Sequence, residues 1–264
     1  MEEDGTLTAP PAESTRPASP SQVGLRIVSA AALALIAFAA LWGGVLPFAA
    51  LVLIIALVMS WEWSGLVRGE GIDSTLIVHG LAVAAAVGFS AFGMAALGVA
   101  ALIIGTIIVA ALEFDQRPML SAAGVLYAGL PAVALIWLRG SETGFEAVLF
   151  IVLVVIATDT AAFAAGRLIG GPRLAPAVSP NKTWSGLGGG LTAAAVVAAL
   201  FGYWAGGPVL PLAICGILLP GHGGFMDRMD GLAPVTVVLA FAALFVDPRS
   251  PAQAILAGLF LAPH

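Results

Sequence analysis

The sequence contains very few charged residues. Only 9% of its 264 residues are Asp, Glu, Lys or Arg, whereas 60% are hydrophobic, and the mean hydropathy is +1.06. A soluble domain carries about 25% charged residues, so the composition excludes a soluble globular protein and predicts an integral membrane protein. The net charge of −5 does not indicate an acidic binding surface, because four of the fifteen acids (Glu2, Glu3, Asp4 and Glu13) lie in the first thirteen residues.

Cysteine is nearly absent as well. The chain has one, Cys215, which excludes an intrachain disulfide and a cysteine-rich metal site. A signal peptide is not indicated, because the chain begins Met-Glu-Glu-Asp rather than with a basic segment. Residues 1–22 are rich in Pro, Ser, Thr and acids, so we predict a disordered N-terminal tail ahead of an integral membrane domain over residues 23–264.

Long apolar runs predict an all-α, polytopic membrane helix bundle of about 8–10 transmembrane or partial-span helices, since a spanning helix needs about 20 apolar residues. The candidate spans are residues 26–42, 45–61, 75–92, 94–112, 120–138, 145–163, 187–204, 208–219, 232–246 and 250–263. Segment 208–219 is short, because its length covers about 18 Å of a hydrocarbon core about 30 Å thick. With a cytoplasmic tail and alternating spans, eight of the ten basic residues lie on the cytoplasmic side, as the positive-inside rule requires.

Three polar residues within or beside the apolar runs need an explanation. Asp159 is a functional candidate, because an intramembrane carboxylate is costly unless it is paired or solvated. The alternative is an Asp at the cytoplasmic end of its helix, in contact with headgroup water or Arg167. Glu62 lies between two tryptophans and is interpreted as an interfacial anchor, and His79 as a solvated residue at a span end.

The segment SPNKTWSGLGGG, residues 179–190, combines groups that suit an anion. Ser179, Asn181 and Thr183 supply short hydrogen-bonding groups, and Lys182 supplies a point charge suited to phosphate. The segment precedes an apolar run, so its backbone N–H groups can open a helix, a favourable place for an anion. The alternative is a capped helix with an interfacial Lys and Trp. Local chemistry leaves both interpretations open.

The segment PGHGGFMDRMDG, residues 220–231, is the second polar motif. His222 lies between glycines, and on a helix the i, i+3 spacing of Asp227 and Asp230 puts both carboxylates on one face. Two hard oxygen ligands suit Mg²⁺, which takes one or two protein carboxylates plus substrate phosphates. Arg228 can hold a phosphate in a bidentate manner. The alternative is an ordinary cytoplasmic loop with charge pairs.

These motifs resemble the phosphatidate cytidylyltransferase, or CDP-diacylglycerol synthase, family. The resemblance is carried by Ser179-Pro-Asn-Lys-Thr-Trp, by Asp159-Thr with Gly166-Arg167, by YAGLPAVALIWLR at 127–139 and above all by the HGG-x-x-DR-x-D run. It implies a multi-pass enzyme of the bacterial inner membrane, with cytoplasmic catalytic motifs at 159–190 and 220–231. That enzyme joins CTP and phosphatidic acid into CDP-diacylglycerol and releases diphosphate. It needs Mg²⁺, often with K⁺.

The resemblance also implies residue roles. Lys182, Asp227, Arg228 and Asp230 would be catalytic, with Asp227 and Asp230 at the metal and the two basic residues at the phosphates. The implied substrate contacts are Asp159, Ser179, Asn181, Lys182, His222 and Arg228. Membrane lipids are expected partners and nucleic acid is not. Helices rich in small residues would also allow a homodimer.

The chain departs from the family before PGHGG. Family members carry there a segment resembling Ala-Gln-x-Gly-Asp, then Lys-Arg and Lys-Asp-Ser, which supplies a second metal-binding Asp and basic phosphate contacts. Residues 187–226 of this chain contain no Asp, Glu, Lys or Arg. Together with the short 208–219 span, this predicts an internal deletion near residues 214–218 and greatly reduced activity. A smaller departure is Ser185, where many relatives have Glu.

Three other functions are compatible with parts of the sequence. A non-catalytic membrane homologue that binds lipid or a partner is the alternative that the missing segment favours. A small-solute transporter is disfavoured, because the polar residues cluster at one membrane face without a matching set in the other half. A lipid-headgroup kinase fits the Lys and Asp chemistry but not the HGG-x-x-DR-x-D run.

Overall fold

The structure, a computed structural model, describes residues 20–69, 71–175, 179–205 and 225–257. The chain divides into two units between Ala39 and Ala40. Helix α1 (Pro20–Trp42) crosses this boundary, and everything below concerns the unit that begins at Ala40. The predicted tail is three residues too long, because Pro20 already begins α1. Proline suits the first turn of a helix, where its missing N–H has no intrahelical role. Residues 1–19 of that predicted tail lie outside the described residues.

The predicted all-α, polytopic helix bundle is confirmed, and the chain is a multi-pass membrane protein. Six described helices are long and apolar enough to cross a bilayer. These are α2 (Val45–Arg68), α3 (Ser74–Ala91), α4 (Ala95–Leu112), α5 (Pro118–Arg139), α6 (Gly144–Leu168) and α7 (Trp184–Trp204). The described residues also form helices α8 (Phe225–Val246) and α9 (Pro251–Leu256), which follow the six spans. Strands β1 (Arg173–Ala175) and β2 (Ser179–Thr183) lie between α6 and α7.

Several helices extend beyond the predicted spans. Helix α2 continues past residue 61 to Arg68, and α6 continues past residue 163 to Leu168. Polar residues did not end these helices, because a helix saturates its own backbone hydrogen bonds wherever it meets lipid or headgroups. The 232–246 candidate is the apolar part of the longer α8, and the 250–263 candidate contains the short α9. The 208–219 candidate lies outside the described residues.

Six spans joined by short connections alternate in direction. The connections after α2, α4 and α6 therefore lie at one end of the bundle, which we call the hairpin face because β1 and β2 belong to it. The connections after α3 and α5 lie at the opposite end. This places Lys182 at the same end as Arg68, Glu113 and Arg167.

Helix α5 is the central element. It is the most buried of the six spans and packs against α2, α3, α4, α6 and α8. The largest fully buried side chains include Ile136 and Leu138 of α5 and Phe150 of α6. Large apolar side chains such as Ile54 and Ile107 are exposed instead, as expected of helices that are apolar all round and meet lipid.

Candidate functional site

The polar motif at 179–190 forms a hairpin strand followed by a helix. Strands β1 and β2 pair antiparallel, with Arg173 opposite Thr183. Helix α7 begins at Trp184, and Thr183 is its N-cap, because its Oγ1 accepts a hydrogen bond from the Gly186 N–H at 3.1 Å. The prediction that this segment opens a helix is confirmed. The cap satisfies one backbone donor of the first turn through Thr183 itself.

Lys182 is half-buried and directly precedes this cap. The Trp184 N–H donates to the Pro172 carbonyl at 3.1 Å, and the Ser185 hydroxyl donates to the Gly170 carbonyl. These bonds hold the backbone next to Lys182 against the loop that leaves α6. Lys182 forms no salt bridge with a described residue. The arrangement therefore presents a lysine at the hairpin face, next to a backbone that these hydrogen bonds hold in place.

Asp159 lies inside α6, nine residues before the helix ends at Leu168. That distance is about 13 Å along the axis, so the interpretation of Asp159 as a helix-end residue is wrong. The neighbouring Thr158 is buried, and its hydroxyl donates to the Val154 carbonyl at 2.7 Å. A methyl group placed on Gly190 of α7 would meet the Thr158 carbonyl oxygen at 3.2 Å. Asp159 is therefore next to the contact between α6 and α7.

Glycines bring α6 and α7 together between Asp159 and the hairpin face. A Cβ at Gly186 would meet the Ala162 carbonyl oxygen at 3.0 Å, and one at Gly189 would meet the Ala161 carbonyl oxygen at 3.1 Å. Contacts this short leave no room for a side chain at either position, and such small residues allow two helices to approach closely. The structure thus places Asp159 on a tightly packed helix pair and Lys182 on the hairpin strand that leads into that pair, with Asp159 deeper in the bundle.

The second polar motif lies at the start of α8. Asp227, Arg228 and Asp230 fall in its first turns, so the helix that the i, i+3 spacing assumed is present and puts both aspartates on one face. Their side chains, and those of Ser179 and Asn181 in β2, lie outside the described part of the structure, as does His222 altogether. Among the described residues, no group of three or more His, Cys, Asp or Glu could hold a metal ion.

A family model described as the cytidylyltransferase family matches residues 24–217 and 215–246. The chain belongs to the cytidylyltransferase family. Every candidate site residue lies within the two matched ranges, including Asp159, Lys182, Asp227 and Asp230.

Curated relatives of this cytidylyltransferase-family chain are named phosphatidate cytidylyltransferase. The protein of Brucella suis biovar 1 is 43% identical over 162 residues, which cover 49% of this chain and 59% of the relative. The Mycobacterium leprae protein is 33% identical over 125 residues, covering 37% of this chain and 40% of the relative. The Haemophilus influenzae protein is 30% identical over 136 residues, covering 39% and 47%. The chain therefore spans less than two thirds of the length of these relatives.

Sequence reasoning missed a polar cluster at the hairpin face of this family member. Arg68 Nε donates to Asp73 Oδ2 at 2.8 Å, and Arg68 Nη2 donates to the Ser64 hydroxyl at 2.6 Å. The Thr75 hydroxyl donates to Glu113 Oε1 at 2.7 Å, and that oxygen is 3.8 Å from Arg68 Nε. The cluster joins the loop after α2 to the loop after α4. The sequence did contain a signal for this cluster, because the charged residues Arg68 and Glu113 follow two predicted spans that end on the same side of the membrane.

The electrostatics of the cluster are clearest at Asp73, the N-cap of α3. Burial raises the pKa of its carboxyl, but the hydrogen bond from the Leu76 N–H and the Arg68 guanidinium lower it further, so the net pKa is below its ordinary value. Asp73 therefore stays ionised at neutral pH and balances the charge of Arg68, whose side chain is only 8% exposed.

His79 was also misplaced by sequence reasoning. It was expected to be solvated at a span end, but it is fully buried in α3. The reason is that α3 begins at Ser74 and presents Thr75, His79 and Val83, at four-residue spacing, to the interior.

Proposed function

We propose that this chain has the function of a phosphatidate cytidylyltransferase, transferring the cytidylyl group of CTP to phosphatidate to give CDP-diacylglycerol and diphosphate. The observation that carries the proposal is Lys182, held on the hairpin at one end of a membrane bundle, in a chain that is 43% identical over 162 residues to a relative with that name. A lysine at this position meets substrates whose reacting groups are phosphates at the edge of the bilayer.

The proposed chemistry needs no protein nucleophile. A phosphate oxygen of phosphatidate attacks the α-phosphorus of CTP, the bond from that phosphorus to the bridging oxygen breaks, and diphosphate leaves with the electron pair. Negative charge builds up on the oxygens around the α-phosphorus and on the leaving group. Lys182 and Arg228 would stabilise this charge, because preorganised cations act strongly where charge develops. Asp159, Ser179, Asn181 and His222 would provide polar contacts to the substrates.

The residues present suit a magnesium ion. Asp227 and Asp230 share one face of α8, and Pro234 of the same helix cannot donate the usual hydrogen bond to the Asp230 carbonyl. The first turns of α8 therefore offer hard oxygen atoms, which Mg²⁺ prefers. When bound, Mg²⁺ would supply Lewis-acid neutralisation of the phosphates. We propose K⁺ as an accompanying monovalent ion, on the resemblance alone.

We propose that the hairpin face is cytoplasmic and that the membrane is the bacterial inner membrane. Arg68, Arg117, Arg167, Arg173 and Lys182 lie at the hairpin face. Arg139 lies at the opposite ends of these six helices. This asymmetry supports the orientation through the positive-inside rule, and the cytoplasm is where CTP is found. The homodimer stays a prediction.

We further propose that the chain lacks an internal segment of the active site. The two ranges that match the family model overlap at residues 215–217, within the stretch where the deletion was predicted. The alignment lengths give independent support. For the Brucella suis relative, 49% of 264 residues is about 129, so about 33 of the 162 aligned positions hold a residue only in the relative. For Haemophilus influenzae, 39% is about 103, which leaves about 33 of 136.

The absence of this segment should lower the activity strongly. The segment would supply a metal-binding Asp and basic phosphate contacts, and loss of even a supporting group at a metal site typically costs about 10–100-fold. The alternative function, a catalytically impaired homologue that binds lipid or a partner, is favoured if the chain shows no turnover either with or without the segment.

One experiment tests both proposals. CDP-diacylglycerol formation is measured with CTP, phosphatidate and Mg²⁺ for the purified chain and for a variant carrying the Brucella suis segment inserted at residues 215–217. We expect little product from the chain as it stands and a large gain from the insertion. The matched control is the inserted chain with Asp227→Asn, which should lose the gain. Equal turnover with and without the insert would contradict the deletion, whereas no turnover in either would contradict the transferase.

A further inference from the structure

Several polar groups are buried between α2, α3 and α5 without a hydrogen-bond partner among the described residues. They are Arg68 Nη1, both ring nitrogens of His79, the Ser121 hydroxyl and the Tyr127 hydroxyl. His79 and Ser121 are fully buried. A buried polar group without a partner loses the hydrogen bonds that it would make with water, which destabilises the folded protein. Several such groups in one region of a protein point to a ligand that completes their hydrogen bonds. We call Arg68, His79, Ser121 and Tyr127 the polar core.

Contacts with α2 connect the α5 members of the polar core. The Trp63 ring lies 5.0 Å from the Tyr127 ring, centroid to centroid, and Trp63 Nε1 donates to the Leu120 carbonyl at 2.9 Å. A Cβ on Gly124 would collide with the Trp63 ring. Ser121, Gly124 and Tyr127 follow one another at three-residue spacing, so they lie along one side of α5.

His79 and Arg68 join the same region. The His79 ring lies beside the Gly124 backbone, and Arg68 is close enough for its charge to act on His79. Arg68 uses Nε and Nη2 for Asp73 and Ser64, which leaves Nη1 as the unpartnered end of the guanidinium. The polar core therefore has members on α2, α3 and α5, from Arg68 at the end of α2 to Tyr127 within α5. Tyr127 is nine residues into α5, or about 13 Å along the helix.

Pro131 adds a backbone acceptor to this region. It lies inside α5 and has no N–H, so it cannot make the helix hydrogen bond to the carbonyl of Tyr127, four residues earlier. Prolines are tolerated in membrane helices where neighbouring side chains or ordered waters satisfy the carbonyl that is released.

The charges around the polar core decide the kind of ligand. Arg68 already faces two carboxylates, Asp73 at 2.8 Å and Glu113 at 3.8 Å. An anion would add to a surrounding negative charge, and a cation would meet the guanidinium. A neutral ligand that both donates and accepts matches the hydroxyls of Ser121 and Tyr127 and the two nitrogens of a neutral imidazole. Water has this chemistry, and a buried water typically makes about three hydrogen bonds.

We propose that the polar core binds buried water molecules, which complete the hydrogen bonds of these groups between α2, α3 and α5. Polar residues within membrane spans usually face the bundle interior and pair there rather than meet lipid. This site is separate from the hairpin and the helix pair that carry Lys182 and Asp159, and it does not depend on the transferase proposal.

Radiolytic hydroxyl-radical labelling tests for this buried water, because X-ray pulses generate radicals from bound water inside a protein. The full chain in detergent is irradiated, and oxidation is quantified by mass spectrometry at His79 and Phe150, both 0% exposed. We expect His79 to be oxidised at least about tenfold faster than Phe150, because apolar interiors hold no water. Equal protection of the two side chains would overturn the proposal.

A matched pair of serine variants adds a second readout. Ser121→Ala removes an unpartnered hydroxyl from the polar core, whereas Ser90→Ala removes a buried hydroxyl that donates to the Ala86 carbonyl elsewhere. If water is bound, Ser121→Ala lowers both His79 oxidation and the Tm, and Ser90→Ala leaves His79 oxidation unchanged. A Tm that rises in Ser121→Ala with unchanged His79 oxidation would show that the core is dry.

Discussion

Thr183 Oγ1 accepts a hydrogen bond from the Gly186 N–H at 3.1 Å, so the residue that follows Lys182 fixes the first turn of α7. The Trp184 N–H is bound at the same time to the Pro172 carbonyl. Hairpin and helix therefore begin as one unit, and the backbone position of Lys182 depends on the side chain next to it.

Replacing Thr183 tests whether its hydroxyl stabilises the start of α7. Thr183→Ala removes the cap and should lower the free energy of unfolding by about 1 kcal/mol, whereas Thr183→Ser keeps the hydroxyl and most of the stability. The measurement is thermal unfolding of the purified variants in detergent. Equal Tm values for the alanine variant and the parent would mean that the hydroxyl does not stabilise α7.

The approach of α6 and α7 predicts a sharp difference between neighbouring glycines. Gly189→Ala would place a methyl group against Ala165 and the Ala161 carbonyl, whereas Gly188→Ala meets nothing within 4 Å. Overpacking of this kind typically costs about 1–3 kcal/mol, while Gly→Ala in an open helix position gains up to about 1 kcal/mol. Gly189→Ala should therefore lower the Tm in detergent and Gly188→Ala should not. Equal changes in Tm for the two variants would contradict the close contact of α6 and α7 at Gly189.

Much of this architecture could be predicted from the sequence. The apolar runs located six spans, and the polar residues before Leu187 located the start of α7. Hydropathy failed at the helix ends, since α2 continues past Glu62 to Arg68 and α6 continues past residue 163 to Leu168. A helix satisfies its own backbone groups, so a single charged side chain does not end it.

The partners of buried polar residues could not be predicted. The hydrogen bond from Thr75 to Glu113 joins residues 38 positions apart, and it depends on which helices pack together. The same is true of His79, whose burial follows from its neighbours on α2 and α5 and not from its local sequence.

The Arg68–Asp73 pair predicts how stability depends on pH. The pKa of Asp73 is lowered in the folded protein, so its stabilising effect is present above its unfolded pKa, about 3.9, and is lost as the pH falls through the lower folded value. Asp73→Asn keeps an oxygen for the Leu76 N–H but loses the charge opposite Arg68. The parent should have the higher Tm from pH 5 to pH 8, and the difference should shrink below about pH 4.

Asp73 is 44% exposed, so we expect this difference to be small because solvent screens the pair. Arg249→Gln provides a control, since this exposed residue lies outside the cluster and forms no salt bridge with a described residue. A Tm difference between the parent and Asp73→Asn that persisted unchanged into acid would contradict the charge pairing.

Lys182 should be required for the transferase reaction once the missing segment is restored. In that inserted chain, Lys182→Gln removes the charge that we propose binds a substrate phosphate, and a hydrogen bond to a charged group is worth about 1.5–3 kcal/mol. We therefore expect kcat/KM to fall about 10–100-fold, at 1.36 kcal/mol per factor of ten. Lys182→Arg keeps the charge with a different geometry and should retain more activity than Lys182→Gln. The Arg249→Gln variant should match its parent, because Arg249 follows α8 and lies outside the hairpin. Unchanged kcat/KM in Lys182→Gln, with the Tm preserved, would remove Lys182 from the site.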